Sequence, residues 1–536
     1  MNISPLLLLL LAPLLAIFFI ILLRSQPRLT ALCAAGFNFI FSLVLIFGYI
    51  NANTHGGYAF VMDVPWVTIH GIPPIHFHLA VDGISLPLVM LTGIVTLAAI
   101  FISPGNIRRA SEYYCYLLLM TMGAMGAFIS LDLFFFFIFH DFALIATFLL
   151  IGIWGSHNRQ FVSFQVTIYL MAGSLILLAG FVALVTALPE QYRTFDIVAL
   201  TQYIVGDGSY AHQAHPLSAT QQATIFPLML VGFGILVGLF PFHSWAPPGY
   251  ASAPPAAAML HAGILKKFAI YGLIRIAIPL LHTGFTDWLP VIFALLVGNF
   301  LYAGLVTMAQ KELPLMIGFS SIMHMGYLFL GMACWNVIGL TGAVVLMVAH
   351  GLSAALMFGL SGEITARSGE NRFAELGGLA KRAPMLAVLF SFASMATMGV
   401  PGLANFAGEV MIFFGSIGHA PLPFDLPIPL FAIFALIAIY GTVITAVFQL
   451  RAIKNVFYGP MPERYQGPPT AVAATAALSG GDTEIVPTTG MSDTSTWDEH
   501  GPYVLLVVAS LIIGFMPFLL VNLIEPSVLL QPFLPK

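Results

Sequence analysis

Apolar stretches of roughly 20 residues, each long enough to cross a bilayer as a helix, recur about fourteen times along this chain. They run at 4–23, 30–50, 79–102, 113–131, 133–153, 162–187, 223–247, 254–278, 288–309, 314–334, 338–362, 384–417, 429–450 and 502–524. Lipid offers the backbone no hydrogen-bond partner, so only helices and closed barrels span it. None of these runs alternates polar and apolar residues as barrel strands do. The sequence therefore predicts an all-α integral membrane protein of about 14 transmembrane helices. The first run has no basic stretch before it and no small-residue cleavage site after it, so it reads as a retained helix.

Composition agrees. Hydrophobic residues make up 59% of the chain and charged residues 7%, where a soluble domain carries about a quarter charged. This excludes an ordinary soluble enzyme, a nucleic-acid binder and a disordered protein. Cys33, Cys115 and Cys334 all fall in apolar runs without metal-ligand spacing, so they are expected as buried small hydrophobes with no disulfide.

The net charge of −4 says little, but the placement of charge says more. If successive loops alternate sides, thirteen of the 18 basic residues collect on one face, Arg108, Arg109, Arg367, Arg372, Lys381 and Arg382 among them. The other face holds Arg193 and Lys536, while Lys266, Lys267 and Arg275 lie inside a span. The positive-inside rule makes the basic face cytoplasmic, with both termini outside. The segment 461–501 is rich in Ala, Thr, Ser, Gly and Pro, and reads as a flexible cytoplasmic insert before a C-terminal helix in 502–536.

A charge at the bilayer centre costs about 2.5–3.5 kcal/mol on insertion scales, so it is seldom there without a use. Asp141, Lys266, Lys267 and Glu409 all fall deep inside spans, together with His140, His261, His324 and His350. Such a set points to a proton or ion relay. Lys266 and Lys267 are adjacent, hence about 100° apart around a helix, and cannot face one partner. Pro401 and Gly402 interrupt the span that carries Glu409, and Pro241, Pro247, Pro248, Pro254 and Pro255 interrupt the one before the lysines. The two broken spans are five apart. Spans 4–8 (112–278) thus repeat as spans 9–13 (279–460) in the opposite orientation, after a three-helix region at 1–111. That is the inverted-repeat plan of transporters, with the broken helix fourth in each unit.

The strings VDGISLPLVMLT (81–92), LFPFHSW (239–245), HAGILKKFAIYGLIR (261–275), SSIMHMG (320–326), AHGLSAA (349–355) and GVPGLANFAGE (399–409) are jointly specific. Through them the chain resembles, over roughly residues 78–460, the antiporter-like subunit M (chain 4) family of respiratory complex I, the proton-pumping NADH:quinone oxidoreductase. That family is similar to Mrp-type antiporters and to membrane subunits of energy-converting hydrogenases. The resemblance places Asp141 where the family has a fifth-span glutamate, Lys267 on its eighth-span lysine, Glu409 on its twelfth-span glutamate, and His324 and His350 on histidines near its central axis. Two departures stand out. Leu236 occupies the position of the family's seventh-span lysine, partner of the fifth-span carboxylate, and APPGY (246–250) replaces LPDAH. Lys266 is then a candidate replacement partner for Asp141.

The resemblance implies a proton-translocating subunit of a translocase enzyme, with catalytic residues Asp141, Lys266, Lys267, His324, His350 and Glu409. It implies no cofactor or metal in this chain, because electrons travel in other subunits. The expected partners are other membrane-arm subunits, lipid and protons, with no nucleic acid, in the bacterial cytoplasmic membrane. The rival readings are an Mrp-type Na+/H+ antiporter or hydrogenase subunit, and a membrane scaffold that has lost pumping.

Overall fold

The computed structural model describes residues 4–534 apart from 24–25, 53, 70–72, 105, 157, 207–214, 419–429, 466–492 and 494–495. Arg24, Lys536 and most of the expected insert therefore lie outside the described residues.

The chain begins with two peripheral helices, α1 (Leu6–Leu23) and α2 (Pro27–Ala52), followed by a hairpin of β1 (Ala59–Val67) and β2 (Ile75–Val81). Long apolar helices follow: α3 (Ser85–Ile102), α4 (Ala110–Ile129), α5 (Leu133–Trp154) and α6 (Arg159–Thr186). A short α7 (Ile197–Val205) leads to α8 (Ala219–Val237) and α9 (Ala246–Ser252). The next span is α10 (Pro255–Leu260), α11 (Lys266–Gly272) and α12 (Ile278–Leu280), joined by π-helical turns at His261–Leu265 and Leu273–Ala277. Then come α13 (His282–Val297), α14 (Ala303–Ala309), α15 (Leu313–Ala333) and α16 (Val337–Ser368). The chain closes with α17 (Pro384–Thr397), α18 (Ala404–Ile417), α19 (Leu430–Phe457), α20 (Trp497–Phe515) and α21 (Phe518–Leu529).

Among the described residues, ten helices are long and apolar enough to cross a membrane, or eleven if the α20–α21 pair, bent by 69°, is one span. The expected count of fourteen is not reached by that measure. Three of the remaining apolar helices are too short, at Leu6–Leu22, Pro384–Thr397 and Ala404–Ile417, and the span at 255–280 is subdivided by its π turns.

The burial pattern is that of a bundle in lipid. α16 is apolar around its whole circumference, and it runs through the centre, packed by α15, α17, α18, α20 and α10. The outer helices turn large apolar side chains outward: Ile40 and Phe47 on α2, Phe161 on α6, Leu436 on α19 and Phe515 on α20. Cys115 and Cys334 are buried as expected, but Cys33 is exposed. A peripheral helix buries only the stripe facing its neighbours, and Cys33 lies off that stripe on α2.

Both proline-rich interruptions break their helices. α8 stops at Gly238, which has φ of 75°, and the freed backbone N–H of Phe240 donates to Asn299 Oδ1 at 2.8 Å. Asn299 in turn donates to the Ile322 carbonyl on α15 at 2.9 Å, so one buried amide pairs the backbone freed at the break and ties it to the neighbouring helix. The second break runs from Met398 to Leu403, with Gly399 and Gly402 at φ of 69° and 88°. A side chain at either glycine would be strained.

On one end of the bundle the hairpin is extended by short β-bridges from Leu79 to Ser130 and from Asp132 to Asp196. Asp132 caps α5 by accepting from the Phe134 and Phe135 N–H groups and also accepts from His76 N–H at 3.1 Å. Asp196 caps α7 through the Ala199 N–H and holds His78 Nδ1 in a short hydrogen bond. Burial pushes the Asp132 carboxyl up to about 6, against the pull of its three backbone donors. Burial pulls His78 down, but the hydrogen bond and charge of Asp196 outweigh it and leave the imidazole above its usual 6.5.

Candidate functional site

The interior of the bundle gathers most of the ionisable groups that the spans carry. Lys266 and Lys267 open α11 immediately after the His261–Leu265 π turn, and both are fully buried. A π turn shifts the hydrogen-bond register and is frequent at functional sites. Here it brings the Ala262 carbonyl within reach of Lys267 Nζ, which donates to it at 2.7 Å. The same Nζ lies 3.0 Å from His350 Nδ1 on α16. Lys266, about 100° round the helix, goes elsewhere. Its Nζ donates to Ser321 Oγ at 3.3 Å and sits over the Tyr250 ring, 4.9 Å from the centroid.

His350 and His324 face each other with ring centroids 5.2 Å apart. His324 Nδ1 lies 2.7 Å from the Ser320 carbonyl and its Nε2 3.1 Å from that of Thr397. A neutral imidazole has one N–H to give, while an imidazolium satisfies both carbonyls. The geometry is thus suited to a ring that holds a proton in transit. Thr397 is the last residue of α17, so His324 touches the second break directly. Across that break lies Glu409, buried on α18. Its carboxylate rests against Gly399: a Cβ built there would stand 2.4 Å from Oε2. No ion-pair partner of Glu409 is found among the described residues. It lies beside irregular backbone and away from the lipid-facing surface.

Asp141 stands apart. Its side chain is 36% exposed, and its Oδ1 accepts from Ser174 Oγ on α6 at 2.8 Å and approaches His140 Nδ1 at 3.3 Å. His140 stacks on Phe268, with ring centroids 4.2 Å apart. The expected Asp141–Lys266 pair is not formed. Adjacent residues on α5 turn Asp141 and His140 to different sides, and Lys266 is engaged by Ser321 and Tyr250 instead. Leu236 is buried on α8 and brings no charge to replace the missing lysine.

Sequence reasoning missed a buried ion pair. Arg275 Nη2 meets Asp82 Oδ2 at 2.5 Å with both side chains about 4% exposed. Tyr58 Oη accepts from Arg275 Nη1 at 3.2 Å, and the guanidinium lies 5.5 Å from the Tyr271 ring centroid. Asp82 also accepts from the Ile84 and Ser85 N–H groups, which fixes the start of α3. An arginine inside an apolar span and an aspartate in VDGISLP were the available signals. The 193 residues between them hid the pairing.

Comparison with known proteins bears on the whole bundle. A family model described as "NADH:quinone oxidoreductase/Mrp antiporter, TM" matches residues 130–424, more than half of the chain. The NAD(P)H-quinone oxidoreductase chain 4 1 of Synechococcus sp. (strain JA-3-3Ab) is 35% identical over 392 residues, 72% of this chain and 71% of that protein. F(420)H(2) dehydrogenase subunit M of Methanosarcina mazei is 33% identical over 448 residues, 80% of this chain and 84% of the relative. Among solved structures, a chain of respiratory complex I from Thermus thermophilus superposes with a TM-score of 0.79 at 24% identity, covering 98% of this chain and 99% of that one. A chain of the Mrp complex from Dietzia sp. DQ12-45-1b gives 0.81 at 22% identity, covering 99% and 98%. At such identities the two structures establish a shared fold.

Proposed function

Since the chain belongs to the NADH:quinone oxidoreductase/Mrp antiporter transmembrane family, we propose that it is a proton-translocating, antiporter-like membrane subunit of a quinone-reducing complex of the complex I type. Redox centres in other subunits supply the electrons and the driving force, and this chain supplies the proton path in the membrane. The observation that carries the reading is the Lys267–His350 contact at 3.0 Å, between fully buried groups. A buried amine in contact with an imidazole can hand a proton over without either group moving far.

In this reading Lys267 receives a proton, His350 and His324 pass it towards the second break, and Glu409 releases it towards the outer face. Asp141, half-exposed and bound to Ser174, modulates the charge at the start of the path. The two interrupted helices form inverted units, each a half-path, with the basic loops in the cytoplasm and both termini outside. Leu236 favours one rival specifically, a subunit that holds the complex together without pumping.

The test is proton uptake by membrane vesicles containing the assembled complex and energised by quinone reduction. Lys267→Ala is expected to abolish this chain's share of proton uptake while the complex still assembles and reduces quinone. Full uptake by the variant would overturn the path and make the scaffold the better account.

A further inference from the structure

A cavity of about 600 Å³ opens among the loops that carry the basic residues. Its rim is charged, with Glu312, Glu370 and Arg372, and the Arg372 side chain is 64% exposed. Its wall is the junction of α9 and α10, from Ala251 to Pro255, which the prolines keep from closing into one helix. Its floor is Tyr250 with Phe358 and Ser361. From Pro255 the helix descends about 16 Å to Lys266, whose ammonium lies over the Tyr250 ring.

The floor is polar in a way that packing does not explain. The hydroxyls of Tyr250 and Ser361 and the Nδ1 of His261 are buried and have no hydrogen-bond partner among the described residues. The His261 ring stands 5.4 Å from that of Tyr250. Buried polar atoms left unpaired by protein are normally paired by water where the space admits it, and Tyr250 and Ser361 both line this cavity. Below Tyr250 the Lys266 amine is hydrogen-bonded to Ser321 Oγ, one helical turn before His324 on α15. A cation held at full burial by a ring face and one hydroxyl, with no carboxylate partner among the described residues, is costly to keep as a purely structural feature.

We propose that this cavity is the proton-intake vestibule on the basic face of the chain, and that Lys266, loaded across Tyr250 and Ser361, is the group that takes the proton up. The inference rests on the proton-path reading above and deepens it. It replaces the missing lysine at Leu236 with a residue on the next span that is not paired with Asp141. The step conserves charge. A hydronium ion in the vestibule gives its proton to the neutral Lys266 amine and becomes water. The ammonium then releases a proton on its Ser321 side, towards Lys267 and His324. Tyr250 positions the ammonium through its ring face and holds vestibule water through its hydroxyl.

The same vesicle assay tests this, with Lys266→Met, Lys266→Arg and Lys267→Ala compared on the assembled complex. Arginine keeps the charge over the Tyr250 ring but does not give up its proton. Intake through Lys266 predicts that both the Met and the Arg variants lose proton uptake, with partial recovery in Lys266→His. A purely structural cation predicts rescue by arginine, and that result would overturn the proposal, as would full uptake by Lys266→Met. If Lys267→Ala loses uptake while Lys266→Arg keeps it, the intake assignment alone fails. If Lys267→Ala keeps full uptake, the underlying function fails. Independently, a cysteine at Ala366, a partly exposed residue of the cavity lining, in a chain lacking Cys33, Cys115 and Cys334 is expected to react with an impermeant maleimide from the basic face only. Reaction from the opposite face would overturn the vestibule.

Discussion

At the scale of single residues, the sequence exposes chemistry more readily than partnership. Charges inside apolar runs are visible at once because each is expensive there. Their partners are not, because the bundle pairs residues distant in the chain. Lys267 meets His350 across 83 residues, Asp82 meets Arg275 across 193, and Lys266 finds Ser321 where Asp141 was expected. The Asp82–Arg275 pair yields a prediction of its own. Removing one member of a buried pair leaves an uncompensated charge and costs about 3–5 kcal/mol, whereas replacing both with apolar residues of similar volume is often close to neutral. Asp82→Asn is therefore expected to lower thermal stability in detergent markedly. Asp82→Leu combined with Arg275→Met should recover most of the loss. A double variant as unstable as the sum of its parts would show that Asp82 matters mainly as the cap of α3.

At the scale of elements, the interruptions matter more than the helices. Gly399 sits at φ of 69°, and a Cβ there would come within 2.4 Å of a Glu409 carboxylate oxygen. Gly399→Ala is expected to cost about 1–2 kcal/mol in backbone strain and to displace Glu409, with loss of proton uptake comparable to Glu409→Gln. Unfolding curves and vesicle uptake together check both parts, and an alanine variant with normal uptake would detach Glu409 from the break.

The hairpin is the second element with a testable property. The Asp132 carboxyl is raised from 3.8 to about 6, and His78 is raised above 6.5. For both groups the folded state binds protons more tightly than the unfolded one. Their contribution is thus full at low pH and lost as pH rises, for Asp132 between about 4 and 6 and for His78 above 6.5. Amide exchange of β1 and β2, corrected for the intrinsic pH dependence, should show protection falling from pH 5 to pH 8. Rising protection would contradict the roles given to both groups.

At the scale of the whole molecule, the outer helices turn large apolar side chains outward while Asp82, Lys266, Lys267, Arg275 and Glu409 are buried inside, as a bundle in lipid requires. The orientation of that bundle can be measured. The loops at 103–112 and 363–383 carry six basic residues, and the positive-inside rule puts both in the cytoplasm. Cysteines introduced there should label with impermeant reagents from the cytoplasmic side only, and labelling from outside in intact cells would invert the path.

Apolar run lengths by themselves determined that the chain is a helical membrane bundle, and proline and glycine positions where two of its helices break. Both follow from local chemistry: backbone polar groups must pair within the segment that crosses lipid, and a missing N–H ends a helix wherever it occurs. The motifs that carry Lys267, His324, His350 and Glu409 were equally legible. Only the tertiary structure decided which charged groups meet. It set Arg275 on Asp82, turned Lys266 from Asp141 to Tyr250, gave Asn299 to the first break and put Gly399 against Glu409. Those outcomes depend on helix rotation, on the register shift of a π turn and on packing between distant segments, and a linear pattern of hydrophobicity records none of the three.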